Sequence, residues 1–105
     1  ALLVTTVAGK VIGIIPKGLG RIEVKILGKG STGRTIANNL KEQLAMQEVK
    51  SNPLQGAKEL TSIKMTDTRW PASKGWVKMS KNVNGVDIHY VYNKIKGVFD
   101  DFKFK

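Results

Sequence analysis

The sequence predicts an α+β domain, with a helix or helices N-terminal to, and packed on, a twisted antiparallel sheet of about four strands. Asn84–Gly85 sits between two alternating runs, WVKMSKNV and VDIHYVYN, the signature of a two-residue hairpin. A third run, VFDDFKFK, follows a short loop ending in Gly97. Earlier in the chain, Leu40, Leu44 and Val49 recur near helical spacing. The expected organisation is a single domain, with residues 1–27 as an apolar N-terminal arm and first strand and 28–105 as its core.

In chain order, ALLVTTVAGKVIGIIP is apolar but interrupted by Lys10 and closed by Pro16. That is short of the roughly 20 residues that span a bilayer, and a signal peptide would carry its charge ahead of the apolar run. Gly9 and Gly13 weaken it as a helix. It reads as an apolar helix or arm, and an opening at Ala1 is expected of a fragment of something longer. Ile22, Val24 and Ile26 alternate with Glu23 and Lys25 as a half-buried strand. GKGSTGRT is a loop that fails the nucleotide P-loop pattern, because Gly30 rather than Ser or Thr follows the Lys29 position. Its Lys29, Ser31, Thr32 and Arg34 remain candidates for contacting a phosphate backbone. The helix is expected over Ile36 to Lys50, capped by Asn38 or Asn39 and stopped by Asn52–Pro53. ELTSIKM reads as a strand on the alternation of Ile63 and Met65, and TDTRWPASKGW as a loop up to the hairpin.

The hairpin turn fixes its register, with Val83 facing Val86, Met79 facing Tyr90 and Ser80 facing His89. One face carries Val77, Met79, Val83, Val86, Ile88, Tyr90 and Tyr92, with Lys81 as a polar intruder. The other is a platform of Trp76, Lys78, Ser80, Asn82, Asp87, His89, Val91 and Asn93. A three- or five-residue connection to the last strand groups Val98 with Phe102 and Phe104, and Phe99 with Asp101 and Lys103. His89 then lies opposite Asp101 or Lys103, two registers the sequence leaves open. Asp100 falls on the apolar side, which marks a strand end or bulge.

The chain has 105 residues, with 18 Lys and Arg against 8 Asp and Glu, a net charge of +10. Each half is +5, so the charge is no basic tail. Such a footprint suits a phosphate-bearing partner, although a lysine-rich skin or an acidic protein partner would give the same composition. The absence of cysteine excludes disulfides, thiolate metal sites and thiol catalysis. The size excludes large multi-step enzymes. The scattered acids and lone histidine give no metal-ligand spacing, so no metal or cofactor is expected.

Metal-free RNA cleavage asks for less, because the ribose 2′-hydroxyl is the nucleophile. It needs a proton acceptor, a proton donor and cations for the charge developing on phosphorus. His89 suits the proton work, Lys78, Lys103 and Arg69 the charge, and Asp101 completes the candidate catalytic set. Ser80 beside His89 would hydrogen-bond a phosphate, Trp70 and Trp76 would stack on bases, and Lys29, Arg34 and Lys74 would hold the strand. Plainer readings stand beside these: the tryptophans as packing residues, Arg69 as the partner of Asp67, and His89 as a solvated bystander.

The run TDTRWPASKGWVKM, then GVDIHYVYN and the terminal DDFKFK, resembles the C-terminal toxin domains of filamentous-haemagglutinin-like effectors of contact-dependent growth inhibition. GKGSTGRT with NNLKEQLAMQEVKSNP resembles the same domains, so the likeness covers roughly residues 28–105. It implies release from a cell-surface or secreted effector, delivery to a target-cell cytoplasm without stable membrane association, and a cognate acidic immunity protein. It also implies an RNase, often against tRNA and at times needing a host factor, on the barnase–EndoU–colicin–RelE-like layout. Catalytic residues vary within that layout, so only the type of role carries over, to His89, Arg69, Lys78 and Lys103. The alternatives are a non-catalytic basic nucleic-acid-binding module and a metal-dependent DNase toxin.

Overall fold

The Asn84–Gly85 turn adopts positive φ at both residues, 52° and 87°, as a two-residue hairpin turn requires. Asn82 braces it, accepting from the Gly85 amide at 3.0 Å and donating through Nδ2 to Asp87 at 2.7 Å. The strands it joins, β5 (Trp76–Val83) and β6 (Val86–Asn93), pair in the expected register, Ser80 opposite His89 included. This computed structural model describes residues 3–7, 10–15 and 20–105, with side chains from residue 24 onward.

The main layer is a four-stranded antiparallel sheet, β4-β5-β6-β7, in which β4 is Lys58–Glu59 and β7 is Val98–Phe104. Among the described residues one α-helix, α1 (Leu40–Ser51), packs on one face of it, so the expected α+β architecture is present. Asn39 caps α1 by accepting from the Glu42 amide, and Glu42 returns the favour to the Asn38 amide, both at 2.8 Å. The core holds Ala45, Met46 and Val49 of α1 against Met79, Ile88, Tyr90, Phe99, Phe102 and Phe104 of the sheet, with Val24 at its margin. Tyr90 stacks on Phe102 with centroids 4.9 Å apart and donates its hydroxyl to the Pro53 carbonyl. Lys81, the intruder on this face, is buried and donates to the Asn52 carbonyl at 2.7 Å, closing the C-terminal end of α1.

The expected leucine stripe is corrected: Leu40 and Leu44 are 66% and 55% exposed. Val49 comes five positions after Leu44, roughly 140° round the helix, so it cannot share their face. Strand structure in ELTSIKM ends at Glu59, and Ile63 lies in an exposed turn. At the N-terminus the stretch expected as an apolar helix or arm forms strands β1 (Leu3–Val7) and β2 (Lys10–Ile15), which pair with each other, and β2 pairs in turn with β3 (Gly20–Glu23). Val, Ile and Thr dominate β1 and β2, a composition that favours an extended backbone. Residues 1, 2, 8, 9 and 16–19 of that stretch lie outside the described residues. The strand expected through Ile26 breaks after Glu23. Residues 25–27 instead form a short parallel pairing along β7, with the Phe99 amide donating to Lys25 and the Leu27 amide to Phe99.

The connection from β6 to β7 has four residues, 94–97, rather than three or five, and shifts side-chain parity by one. Buried Asn93 shapes it, accepting from the Ile95 and Lys96 amides and donating to the Lys74 carbonyl. A β-bulge then shifts the parity back: His89 pairs with Lys103 but Val91 with Asp100, with Asp101 at φ 56° as the extra residue. The expected grouping is corrected accordingly. Phe99, Phe102 and Phe104 all enter the core, while Val98 packs on the opposite face with Trp70, Trp76 and Val91.

Gly85→Ala is expected to cost about 1–2 kcal/mol, because an L side chain is strained at that φ. A urea melt checks it.

Candidate functional site

Two adjacent carboxylates organise the outer side of β7. In a regular strand Asp100 and Asp101 point to opposite faces; the bulge brings both to the same one, against the sequence expectation. Asp100 is 1% exposed and accepts from the Gly28 and Lys29 amides at 3.1 and 3.0 Å and from the Trp70 indole at 2.9 Å. Asp101 accepts from the Thr32 amide at 2.7 Å and meets the Thr32 hydroxyl. The glycine-rich loop therefore does cradle oxyanions with its amides, but they are the protein's own carboxylates. Gly33 allows this closeness, since a Cβ there would stand 2.9 Å from the Lys103 side chain.

Around Asp101 lie two ammonium groups, Lys103 Nζ at 3.4 Å and Lys78 Nζ at 3.7 Å. Lys103 also donates to the Thr32 hydroxyl. One carboxylate between two cations leaves a net positive charge in a half-enclosed place, where charge is poorly screened. Burial, with Lys103 as neighbour, lowers the Lys78 ammonium to about 8, while Asp101 opposes the shift. Thr32, Lys78, Asp101 and Lys103 line an open cavity of about 150 Å³, together with Asp67, Trp70 and residues 63–66.

His89 stands beside this group, in a cross-strand row with Ser80 on β5 and Lys103 on β7. Its ring makes no hydrogen bond among the described residues, where no buried side-chain nitrogen or oxygen lacks a partner, so the ring nitrogens reach solvent. Burial first, then Lys78, Lys105 and Lys103, push its pKa below the ordinary histidine value, with Asp87 pulling the other way. The ring is neutral at pH 7 and able to accept a proton.

The remaining sequence candidates divide. Arg69 pairs with Asp67 at 2.8 Å and lies 4.3 Å over the Trp70 ring, so it touches two residues that line the cavity but is not itself in the lining. Arg34 is engaged by Glu42 at 2.8 Å and by the Phe104 ring at 4.5 Å, outside this group. Base stacking on Trp70 and Trp76 is corrected: they are 1% and 4% exposed, packed with Val91 and Val98, and their faces are covered. Lys29 and Lys74 are exposed beyond Arg69. Sequence reasoning missed Asp100 as the anchor of the loop and Thr32 as the partner of both Lys103 and Asp101. No local pattern signals either, since the bulge that aims them arises from pairing across β6. Among the described residues, no three His, Asp or Glu side chains gather as a metal-binding group, and no helix is long and apolar enough to cross a membrane. Comparison with family models, curated proteins and solved structures finds no match to this chain.

Asp100→Ala strands two amides and a buried indole N–H, and is expected to destabilise the fold by more than about 3 kcal/mol in urea melts. For Lys78 the folded pKa is about 8 against an ordinary 10.5. Above pH 8 the unfolded chain therefore holds the extra proton, and stability relative to Lys78→Met rises from pH 8 to 10 and is flat below. Titration of the His89 ring by NMR is expected to give a pKa below 6.5, moving upward in Lys103→Ala.

Proposed function

We propose that this chain is a metal-independent endoribonuclease toxin domain that cleaves tRNA and is neutralised by an acidic immunity protein. The observation that carries the catalytic part is the convergence of Lys78 and Lys103 on Asp101, with Lys103 also on Thr32 and an accessible neutral histidine in the adjoining row. The resemblance of its run of motifs to contact-dependent growth inhibition toxins supports the toxin, tRNA and immunity-protein parts, along with cytoplasmic action after release from a surface effector. The net charge of +10 supports a polyanionic substrate.

In the proposed reaction the ribose 2′-oxygen attacks phosphorus and its proton passes to the His89 ring. The bond from phosphorus to the 5′-oxygen breaks, and Lys78, protonated at neutral pH yet more acidic than an ordinary lysine, gives that oxygen a proton. Lys103 and the Thr32 hydroxyl hold the non-bridging oxygens, where charge grows. Asp101 keeps both lysines in place and is a positioning residue. The products are a 2′,3′-cyclic phosphate and a 5′-hydroxyl.

Brief expression without inhibitor, followed by sequencing of RNA ends, tests this. tRNA fragments with cyclic phosphate ends are expected, with EDTA leaving cleavage intact. His89→Ala and Lys78→Ala are each expected to lower the cleavage rate at least 10²-fold while remaining folded by circular dichroism. Intact RNA with salt-dependent binding retained would instead identify a binding module, and 3′-hydroxyl ends with EDTA sensitivity a metal nuclease.

A further inference from the structure

Asp67 and Trp70 line the small cavity that contains Lys78 and Lys103, whereas Thr68, Arg69 and Pro71 line a second cavity of about 230 Å³. One short segment is thus a common wall, with a cavity on each side. The second cavity is rimmed by Lys29, Lys74 and Lys96 and has no acidic residue in its lining. Among the described residues none of these three lysines forms an ion pair. The apolar part of its lining is Leu27, Pro71 and the buried Trp76, beside a polar part of similar extent. The volume is below the roughly 300 Å³ at which drug-sized ligand sites begin, a scale suited to one nucleotide and not to a large cofactor.

The construction of this cavity is firm on both sides. Asn93 is 1% exposed and holds the Lys74 carbonyl with one end of its amide and the Lys96 amide with the other, which fixes the two rim segments relative to each other. Lys29 is fixed at its backbone by Asp100, and its ammonium reaches the Arg69 carbonyl at 3.3 Å. Arg69 has its own charge balanced by Asp67. The free positive charge therefore belongs to the three lysines, which can take a phosphate, while Leu27 and Pro71 offer a base apolar contact and the covered Trp76 offers no stacking face.

We infer that this second cavity is the seat of a nucleotide neighbouring the one cleaved, so that a single RNA strand crosses the Asp67–Pro71 wall with one nucleotide on each side. The inference rests on the ribonuclease reading for the direction of the strand, while the seat itself is tested by binding alone. The lysines set affinity through phosphate contacts, and contact with Leu27 and Pro71 prefers a stretch with its bases unpaired.

The test uses the whole chain and a fluorescent uridine pentanucleotide with 2′-fluoro riboses, which lacks the attacking hydroxyl. Anisotropy is measured for wild type, for Lys74→Ala combined with Lys96→Ala, and for a control pair of exposed lysines elsewhere, Lys25→Ala with Lys41→Ala. The cavity pair is expected to weaken binding at least tenfold and to flatten the salt dependence by about 1.4, two single-strand phosphate contacts. The control pair is expected to change affinity less than threefold. An abasic residue in the oligonucleotide is expected to weaken wild type more than the cavity pair. Equal losses in the two pairs, or no measurable binding by wild type at 100 µM, an arbitrary ceiling of about −5.5 kcal/mol, would overturn the seat. Cavity-dependent binding without RNA cleavage supports the seat and removes the nuclease; cleavage with equal losses in the pairs removes the seat and leaves the nuclease.

Discussion

The outer half of this molecule depends on a β-bulge that places two neighbouring carboxylates on one face of β7. Asp100 and Asp101 together receive three backbone amides from residues 28–32, an indole N–H and a threonine hydroxyl. A loop with three glycines in its first six residues has little intrinsic preference for one shape and loses much entropy on ordering. Charge-assisted hydrogen bonds to a rigid strand offset that loss. Once the loop is fixed, Thr32 stands at Lys103, and Trp70 is drawn down to complete the second, smaller apolar cluster.

The same carboxylates govern the electrostatics. The chain carries ten more positive than negative side chains, yet its most buried charges on this face are the two acids. Asp101 keeps Lys78 and Lys103 close despite their repulsion, and one ammonium remains in excess. The consequence is a lysine of weakened basicity beside a histidine that is neutral at pH 7, both produced by burial and by neighbouring cations.

Much of the sheet was legible in the sequence, because local chemistry determined it. Asn84–Gly85 specifies one hairpin, and period-two alternation then assigns every side chain of β5 and β6 to a face. The opposition of His89 and Lys103 was one of two readable registers, and it results from two departures that cancel, a four-residue loop and a one-residue bulge. Between those departures the parity was wrong, so Val98, Phe99 and Asp100 were each assigned to the wrong face. The burial of Trp70 was illegible for a different reason: its partner, Asp100, lies thirty residues away and no local pattern joins them. Leu40 and Leu44 mislead because composition suggests a stripe that the 3.6-residue turn does not align with Val49.

Residues 25–27 and Arg34 occupy the backbone of β7 along its far side, through bridges to Phe99 and Phe104. On the opposite side the sheet ends in the two residues of β4. Among the described residues, the β7 rim therefore presents no long row of unpaired peptide groups on which a foreign strand could template itself, whereas β4 covers only Met79 and Ser80 of β5. A macromolecule that meets the layer along β7 must therefore do so through side-chain chemistry and surface shape, which makes its specificity there open to change by point substitution.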